Sequence, residues 1–355
     1  MTPTRRPGLD ILRSAAILLV VWDHGLRFLP ASVFGGISPY PLLDGVDLFF
    51  VLSGWLVGGG LYERLSAGRF TGTGDLFRFY AARWLRTLPA YWTVLALNVL
   101  LLALHLTPGL LNGRAVYYAV FLQNFYRPLD LFFWESWSLS VEEWFYLGFP
   151  PVLLLSAAVL KKYRGAFPAA CLAFIVWGVL FRTGLAGLYP DLPADLYFRK
   201  LVLCRLDMIA WGALAYQMSR GGRIGRAPLW AALGIGIWLL AESVPGGWYV
   251  RVWKYGLSGF GIACLMPAAA AVEWPGTRLR RFFFWVSRLS YAWYLVHLGL
   301  VAGPIRTLCP GAEGWPVWIV YVTVSAAAAC VLHFTVEAPF LRLRDRWSAR
   351  SAERV

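Results

Sequence analysis

Apolar residues run in blocks too long for the core of a soluble domain, and polar residues collect between them. Ten segments stand out, at roughly 9–28, 45–62, 84–106, 138–160, 167–187, 201–218, 228–244, 251–272, 284–304 and 315–337. Most approach the ~20 apolar residues that an α-helix needs to cross a bilayer. Several are short or hold Gly and Pro, which predicts some broken or tilted helices. The stretch 115–126 (AVYYAVFLQNFY) is too short to span and predicts a re-entrant or interfacial helix. The expected fold is all-α and integral to the membrane, a bundle of about ten transmembrane helices.

Composition agrees with that pattern. The 355 residues are 59% hydrophobic and 15% charged, with 19 Trp suited to the two membrane interfaces. A net charge of +14 raises nucleic-acid binding, but the basic residues sit in short clusters between apolar spans, as loop charges do. With the N-terminus on one side, 22 of the 33 Lys and Arg fall on that side and seven on the other. The remaining four, Arg13, Arg27, Arg182 and Arg205, lie within spans. This asymmetry puts both termini in the cytoplasm with an even helix count. Arg5 and Arg6 before an apolar run resemble a signal peptide, but Arg13 and His24 interrupt the run, which reads as a retained first helix. The five cysteines are scattered, with no metal-ligand spacing and no disulfide framework, so no metal is expected. No internal repeat or linker is evident. The chain reads as one membrane domain, 1–347, followed by a cytoplasmic tail, 348–355.

Against that apolar background a few polar residues carry the chemistry. Arg13 and His24 are eleven residues apart, about 16 Å along one helix and within about 20° of the same face. Turned inward they would serve a site; the plainer alternative is a snorkelling Arg and an interfacial His. Asp44 and Asp47 open the second segment, Glu142 and Glu143 lie one turn into the fourth, and Arg205 and Asp207 enter the sixth. All fall in the expected outer half with His24, and His with a carboxylate is a usual general-base arrangement. An interfacial ring of solvated charges is the alternative, favoured for Asp44. On the opposite side Arg78, Arg83 and Arg86 alternate with aromatics, suited either to a nucleotide-bearing donor or to topogenic charge and an aromatic belt. Ser53-Gly54 permits close backbone approach, by helix packing or by a ligand. Tyr291, Tyr294 and His297 fall at i, i+3 and i+6, where packing is as good a reading as catalysis.

Six motifs, in order along almost the whole chain, carry a resemblance. They are LDILR with Arg13-x10-His24, GVDLFFVLSGWL (45–56), FYAARWLRTLPAYW (79–92), WSLSVEEWFYLGFP (137–150), LSYAWYLVH (289–297) and EAPFLRLRDR (337–346). In these the chain resembles the membrane acyltransferase-3 family, which transfers acyl groups to sugars of bacterial envelopes and secreted glycoconjugates. The resemblance implies that Arg13 and His24 engage the acyl donor and transfer its group. Ser53 and Gly54 match a Ser-Gly-Phe-Leu element, with Trp55 in place of Phe. Arg83 and Arg86 match a basic pair, and Glu142 and Glu143 match paired glutamates. Trp144 stands where the family commonly has Gln, which puts a hydrogen bond from that position in doubt. The extra periplasmic hydrolase-like domain of the longer family format is not present in these residues.

On this reading an acyl-CoA, acetyl-CoA first, enters from the cytoplasm of a bacterial inner membrane. Its phosphates meet Arg83 and Arg86, Arg13 sits near the pantetheine, and the thioester passes Ser53 and Gly54. His24 deprotonates a carbohydrate hydroxyl at the outer face or first takes the acyl group itself. Glu142 orients the imidazole, Glu143 or Asp47 holds the sugar, and Tyr146 and His297 also serve the substrate. A transporter or flippase for a lipid-linked sugar is the rival reading, because polar midplane residues in ten helices fit that too. A receptor or scaffold would leave the Arg13/His24 pair without purpose. The acceptor, the acyl length and the oligomeric state are not written in the sequence.

Overall fold

The computed structural model describes residues 6–34, 43–111, 113–220, 227–273 and 277–352. Among them the chain is helical, with turns and loops but no strand. The helices are α1 (Pro7–Gly25), α2 (Gly45–Ser66), α3 (Thr73–Ala103), α4 (Ala115–Ala119), α5 (Ser136–Leu160), α6 (Tyr163–Leu188) and α7 (Leu206–Arg220). They continue with α8 (Ala227–Ser243), α9 (Gly247–Val252), α10 (Lys254–Ala271), α11 (Thr277–Val296), α12 (Gly303–Leu308), α13 (Trp315–Leu332) and α14 (Ala338–Ala352). A π turn, His297–Ala302, joins α11 to α12, and another, His333–Glu337, joins α13 to α14.

Among the described residues, five stretches are long and apolar enough to cross a membrane: Gly45–Ser66, Thr73–Ala103, Ser136–Leu160, Tyr163–Leu188 and Trp315–Ala349. Their outward faces keep large apolar side chains exposed, such as Leu155, Val159, Leu180 and Val331, as lipid contact requires. The chain is a multi-pass membrane protein.

Each of the ten apolar segments falls on a helix, but some limits move. α3 begins at Thr73, eleven residues before the apolar segment at 84, so Arg78, Arg83 and Arg86 stand on a helix and not in a loop. Asp75 supports that extra turn by pairing with Arg78 at 2.5 Å. The last segment runs on through the π turn to Ala352, which makes the closing basic motif helical. The boundary at 347/348 lies inside α14. Only Ala115–Ala119 of the stretch 115–126 is helical. Of the basic residues counted for topology, Arg5, Arg223, Arg226 and Arg354 lie outside the described residues.

Local chemistry sets the helix limits. Pro7 occupies the first turn of α1, where its missing N–H costs nothing. The Asp44 carboxylate caps α2 by accepting the Val46 N–H at 2.8 Å. α5 ends at Lys161, which adopts a left-handed conformation (φ 55°).

α2 and α7 pack with their backbones almost in contact. A Cβ at Gly54 would lie 1.8 Å from the Ile209 carbonyl oxygen, and one at Gly212 would lie 1.9 Å from that of Val51. Two buried ion pairs tie the same region together. Arg205, just ahead of α7, meets Asp47 of α2, both essentially unexposed. Arg182 on α6 grips Asp207 through two bonds of 3.0 and 2.7 Å and donates its Nε to the Val252 carbonyl at 3.0 Å. Asp47 and Asp207, both in the low-dielectric interior, are thereby each matched by a guanidinium.

Candidate active site

α2 carries one continuous stripe, Val46, Phe49, Ser53, Val57, Gly60 and Arg64, at the three- and four-residue spacing of a single helix face. This stripe walls a cavity of about 550 Å³. Val46 to Arg64 is a rise of about 27 Å at 1.5 Å per residue, close to the ~30 Å of a bilayer's hydrocarbon core. The Arg64 end is basic: Arg13 from α1, Arg83 and Arg86 from α3 and Arg344 from α14 line the same cavity.

Partway along, the wall becomes a polar chain. The Tyr146 hydroxyl bonds Ser53 and donates to a Glu142 carboxylate oxygen at 3.1 Å. The Arg83 guanidinium stacks 4.2 Å from the centre of the Tyr146 ring. At the far end Tyr294 lines the cavity, and its hydroxyl meets that of Ser138 at 2.7 Å.

A smaller cavity of about 200 Å³ lies at the Val46 end, and Val46 lines both. His24 lines it, beside Asp23, Asp44, Glu135, Trp137 and Arg199. The His24 Nδ1 lies 2.8 Å from the Nε2 of His297, and the two rings stack at 5.0 Å. His297 is wholly buried, and its Nδ1 lies 2.7 Å from the Tyr294 carbonyl oxygen. A carbonyl can only accept, so the neutral His297 carries its proton on Nδ1 and leaves Nε2 bare. His24 must then donate from Nδ1, which leaves its Nε2 with a free lone pair. Two imidazoles in series thus set one as a base, by the logic through which a His partner selects a tautomer.

Asp44 stands at the lip of this cavity, just ahead of α2. Burial pushes its carboxyl up, but the Arg199 guanidinium at 2.7 Å and the Val46 amide outweigh that and hold it at about 2. Asp44 is therefore an ion-paired cap and not the solvated interfacial charge that its position suggested.

Several expected sites move. Glu142 does not orient His24; it lines the long cavity with Arg13 and Arg83, and His297 is the imidazole's partner. The reason is depth: one and a half turns into α5 carries Glu142 past the cavity that holds His24. Glu143 points away from its neighbour, buried, and accepts from the Thr87 hydroxyl at 2.9 Å. Asp47 lines neither cavity, because Arg205 holds it in the core. Gly54 faces α7 and lines neither cavity, while adjacent Ser53 faces the long one. Arg13, Ser53, Arg83, Arg86 and Tyr146 share the long cavity.

Sequence reasoning passed over Asp23, Glu135, Trp137 and Arg199. It met His297 as a packing residue or a substrate contact. The spacing Tyr294-x-x-His297 was visible, but nothing local to it announces a partner 273 positions away.

The model of the acyltransferase-3 family, described as an acyltransferase domain, matches residues 6–334. A Staphylococcus aureus protein provisionally named an O-acetyltransferase is 28% identical over 187 residues, which cover 49% of this chain and 28% of that protein. The peptidoglycan O-acetyltransferase OatA of Listeria monocytogenes is 30% identical over 170 residues, 44% of this chain and 25% of that protein. An uncharacterized Haemophilus influenzae protein is 30% identical over 155 residues, 40% of this chain and 60% of its own length. The chain thus spans less than two thirds of each of these relatives. No solved structure matches it. With the family model covering nearly every described helix, this chain belongs to the acyltransferase-3 family.

Proposed function

We propose that the chain moves an acyl group, acetyl in the simplest case, from an acyl-CoA in the cytoplasm to a carbohydrate hydroxyl at the outer face of a bacterial inner membrane. One observation carries this reading. A cavity with a basic mouth runs the length of α2 and meets, at Val46, a second cavity in which a base-ready His24 sits. The names of the relatives point the same way, since two are named as O-acetyltransferases, one of them provisionally and the other for peptidoglycan.

In this mechanism the diphosphate of the donor engages Arg83, Arg86 and the outer Arg64 and Arg344, where guanidinium forks suit phosphate oxygens. Arg13 lies beside the chain that follows. The pantetheine threads the stripe past Ser53 and Tyr146, and the thioester reaches Val46. The acceptor hydroxyl in the small cavity gives its proton to His24 Nε2 as its oxygen bonds the thioester carbonyl carbon. The carbon–sulfur bond then breaks, and the imidazolium returns the proton to the departing thiolate. His297 shares the transient charge through the Nδ1–H bond. Ten crossings with both termini in the cytoplasm complete the picture and place the arginine mouth on the donor's side.

Purified chain in detergent, given radiolabelled acetyl-CoA and bacterial glycan fractions, should label a glycan. His24→Ala should abolish the label while leaving the protein folded by its melting profile. Equal labelling by His24→Ala, or glycan turnover with no acyl donor, would sink the proposal; the second outcome would favour a transporter.

A further inference from the structure

The small cavity also says what kind of acceptor it takes, an inference that rests on the acyl-transfer reading. The cations that line it are already committed, and Arg27, whose charge acts on both Asp23 and Glu135 from outside the lining, forms an ion pair with neither. Arg199 pairs with Asp44 at 2.7 Å and Asp195 at 3.1 Å, and Lys200 pairs with Asp195. The Glu242 carboxylate is engaged by Lys254 and by the Ser258 hydroxyl, both at 2.8 Å.

Two carboxylates are not committed. Asp23, one residue before His24, lines the cavity, and no hydrogen bond or ion pair reaches its carboxylate among the described residues. Glu135 is 1% exposed; its Oε1 accepts the Gly299 N–H at 2.9 Å, while its Oε2 is buried without a partner. That amide belongs to the same π turn as His297, so Glu135 is tied to the His pair. A buried carboxylate oxygen without a donor is costly, and a ligand that supplies one removes the cost.

We propose that Asp23 and Glu135 are the acceptor-gripping pair, taking hydrogen bonds from donors that flank the hydroxyl deprotonated by His24. A sugar with neighbouring hydroxyls or an ammonium satisfies both. A sugar whose ring bears a carboxylate or phosphate there brings a like charge to two unpaired carboxylates, and such juxtapositions are strongly unfavourable. The acceptor class is therefore neutral or amine-bearing carbohydrate. At about 200 Å³ the cavity holds one sugar ring, with the rest of a chain outside.

The test uses methyl glucoside and two analogues each changed at a single carbon, methyl glucosaminide at C2 and methyl glucuronide at C6, with acetyl-CoA as donor and the full chain in detergent. The wild type should acetylate the first two with kcat/KM at least about tenfold above the glucuronide. Asp23→Asn and Glu135→Gln keep shape while removing charge. Each should raise the KM for the glucoside about tenfold, the scale of one hydrogen bond to a charged group, and leave the KM for acetyl-CoA unchanged. Each should also narrow the gap to the glucuronide. An active wild type that accepts the glucuronide equally, or variants with unchanged sugar KM, would overturn this inference alone. A wild type that acetylates no sugar and cleaves no acetyl-CoA would overturn the parent reading together with it.

Discussion

At the scale of single residues the decisive pair is His24 and His297. The 2.8 Å contact between them and the Tyr294 carbonyl behind define a tautomer that neither imidazole has alone. His297→Phe should remove the acceptor for the His24 Nδ1–H with little change in bulk. A hydrogen bond worth roughly 1.5–3 kcal/mol in the charged state predicts a fall in kcat of about 10- to 150-fold, with the donor KM unmoved. His297→Gln, whose amide oxygen can take the place of Nε2, should recover most of it. Steady-state kinetics of the two variants side by side check this, and equal losses would mean that His297 only packs. Asp47 gives a second prediction. Removing one partner of a buried ion pair strands the other, at a cost of about 3–5 kcal/mol. Asp47→Leu and Arg205→Met should each lower the melting temperature in detergent sharply, whereas the double variant should melt closer to the wild type.

At the scale of elements, two local devices position the site. One is the glycine seam between α2 and α7. A methyl group at Gly54 would overlap the Ile209 carbonyl at 1.8 Å, so Gly54→Ala must push the helices apart, an overpacking cost of about 1–3 kcal/mol. Loss of thermal stability should come with lost transfer, because neighbouring Ser53, which faces the long cavity, moves too. Ser53→Ala should leave the melting profile nearly intact, and the contrast between neighbouring variants is the check. The other device is the π turn His297–Ala302. Its widened backbone frees the Gly299 amide for Glu135 and places His297 against His24, in keeping with the use of such turns at functional sites. Each apolar segment of the sequence coincides with helix because burial in lipid is a property of composition over about 20 residues. The apolar pattern missed the first eleven residues of α3 and the helical course of α14, because Arg-rich turns exposed at a membrane surface carry no apolar signal.

At the scale of the whole molecule, the proposed transfer depends on two cavities meeting at one side chain. Val46 borders both, so Val46→Phe should narrow the passage between them. Donor binding, measured by calorimetry with acetyl-CoA, should change little. Transfer to sugar should fall by about 10²-fold, the scale for misplacing reacting groups by an ångström. Undiminished transfer would show that the acyl group travels another way. The basic mouth is also a property of the assembled bundle. It gathers arginines from α1, α2, α3 and α14, and the last comes from the closing motif 337–346, most of which lies beyond the last apolar segment.

What the sequence by itself determined is the class of the molecule and the inventory of its chemistry. Long apolar blocks dictate membrane helices, and ordered motifs mark the family and bring forward Arg13, His24, Ser53, Arg83, Arg86 and Tyr146. Only the tertiary structure decided which polar groups meet. Helical periodicity places a residue on a face but does not say which helix that face will touch. Asp47 and Gly54 therefore went to the core and His297 to His24, while Glu142 went to the long cavity. Pairing in a low-dielectric interior is settled by three-dimensional proximity, because a buried charge or donor must find its partner wherever packing puts one.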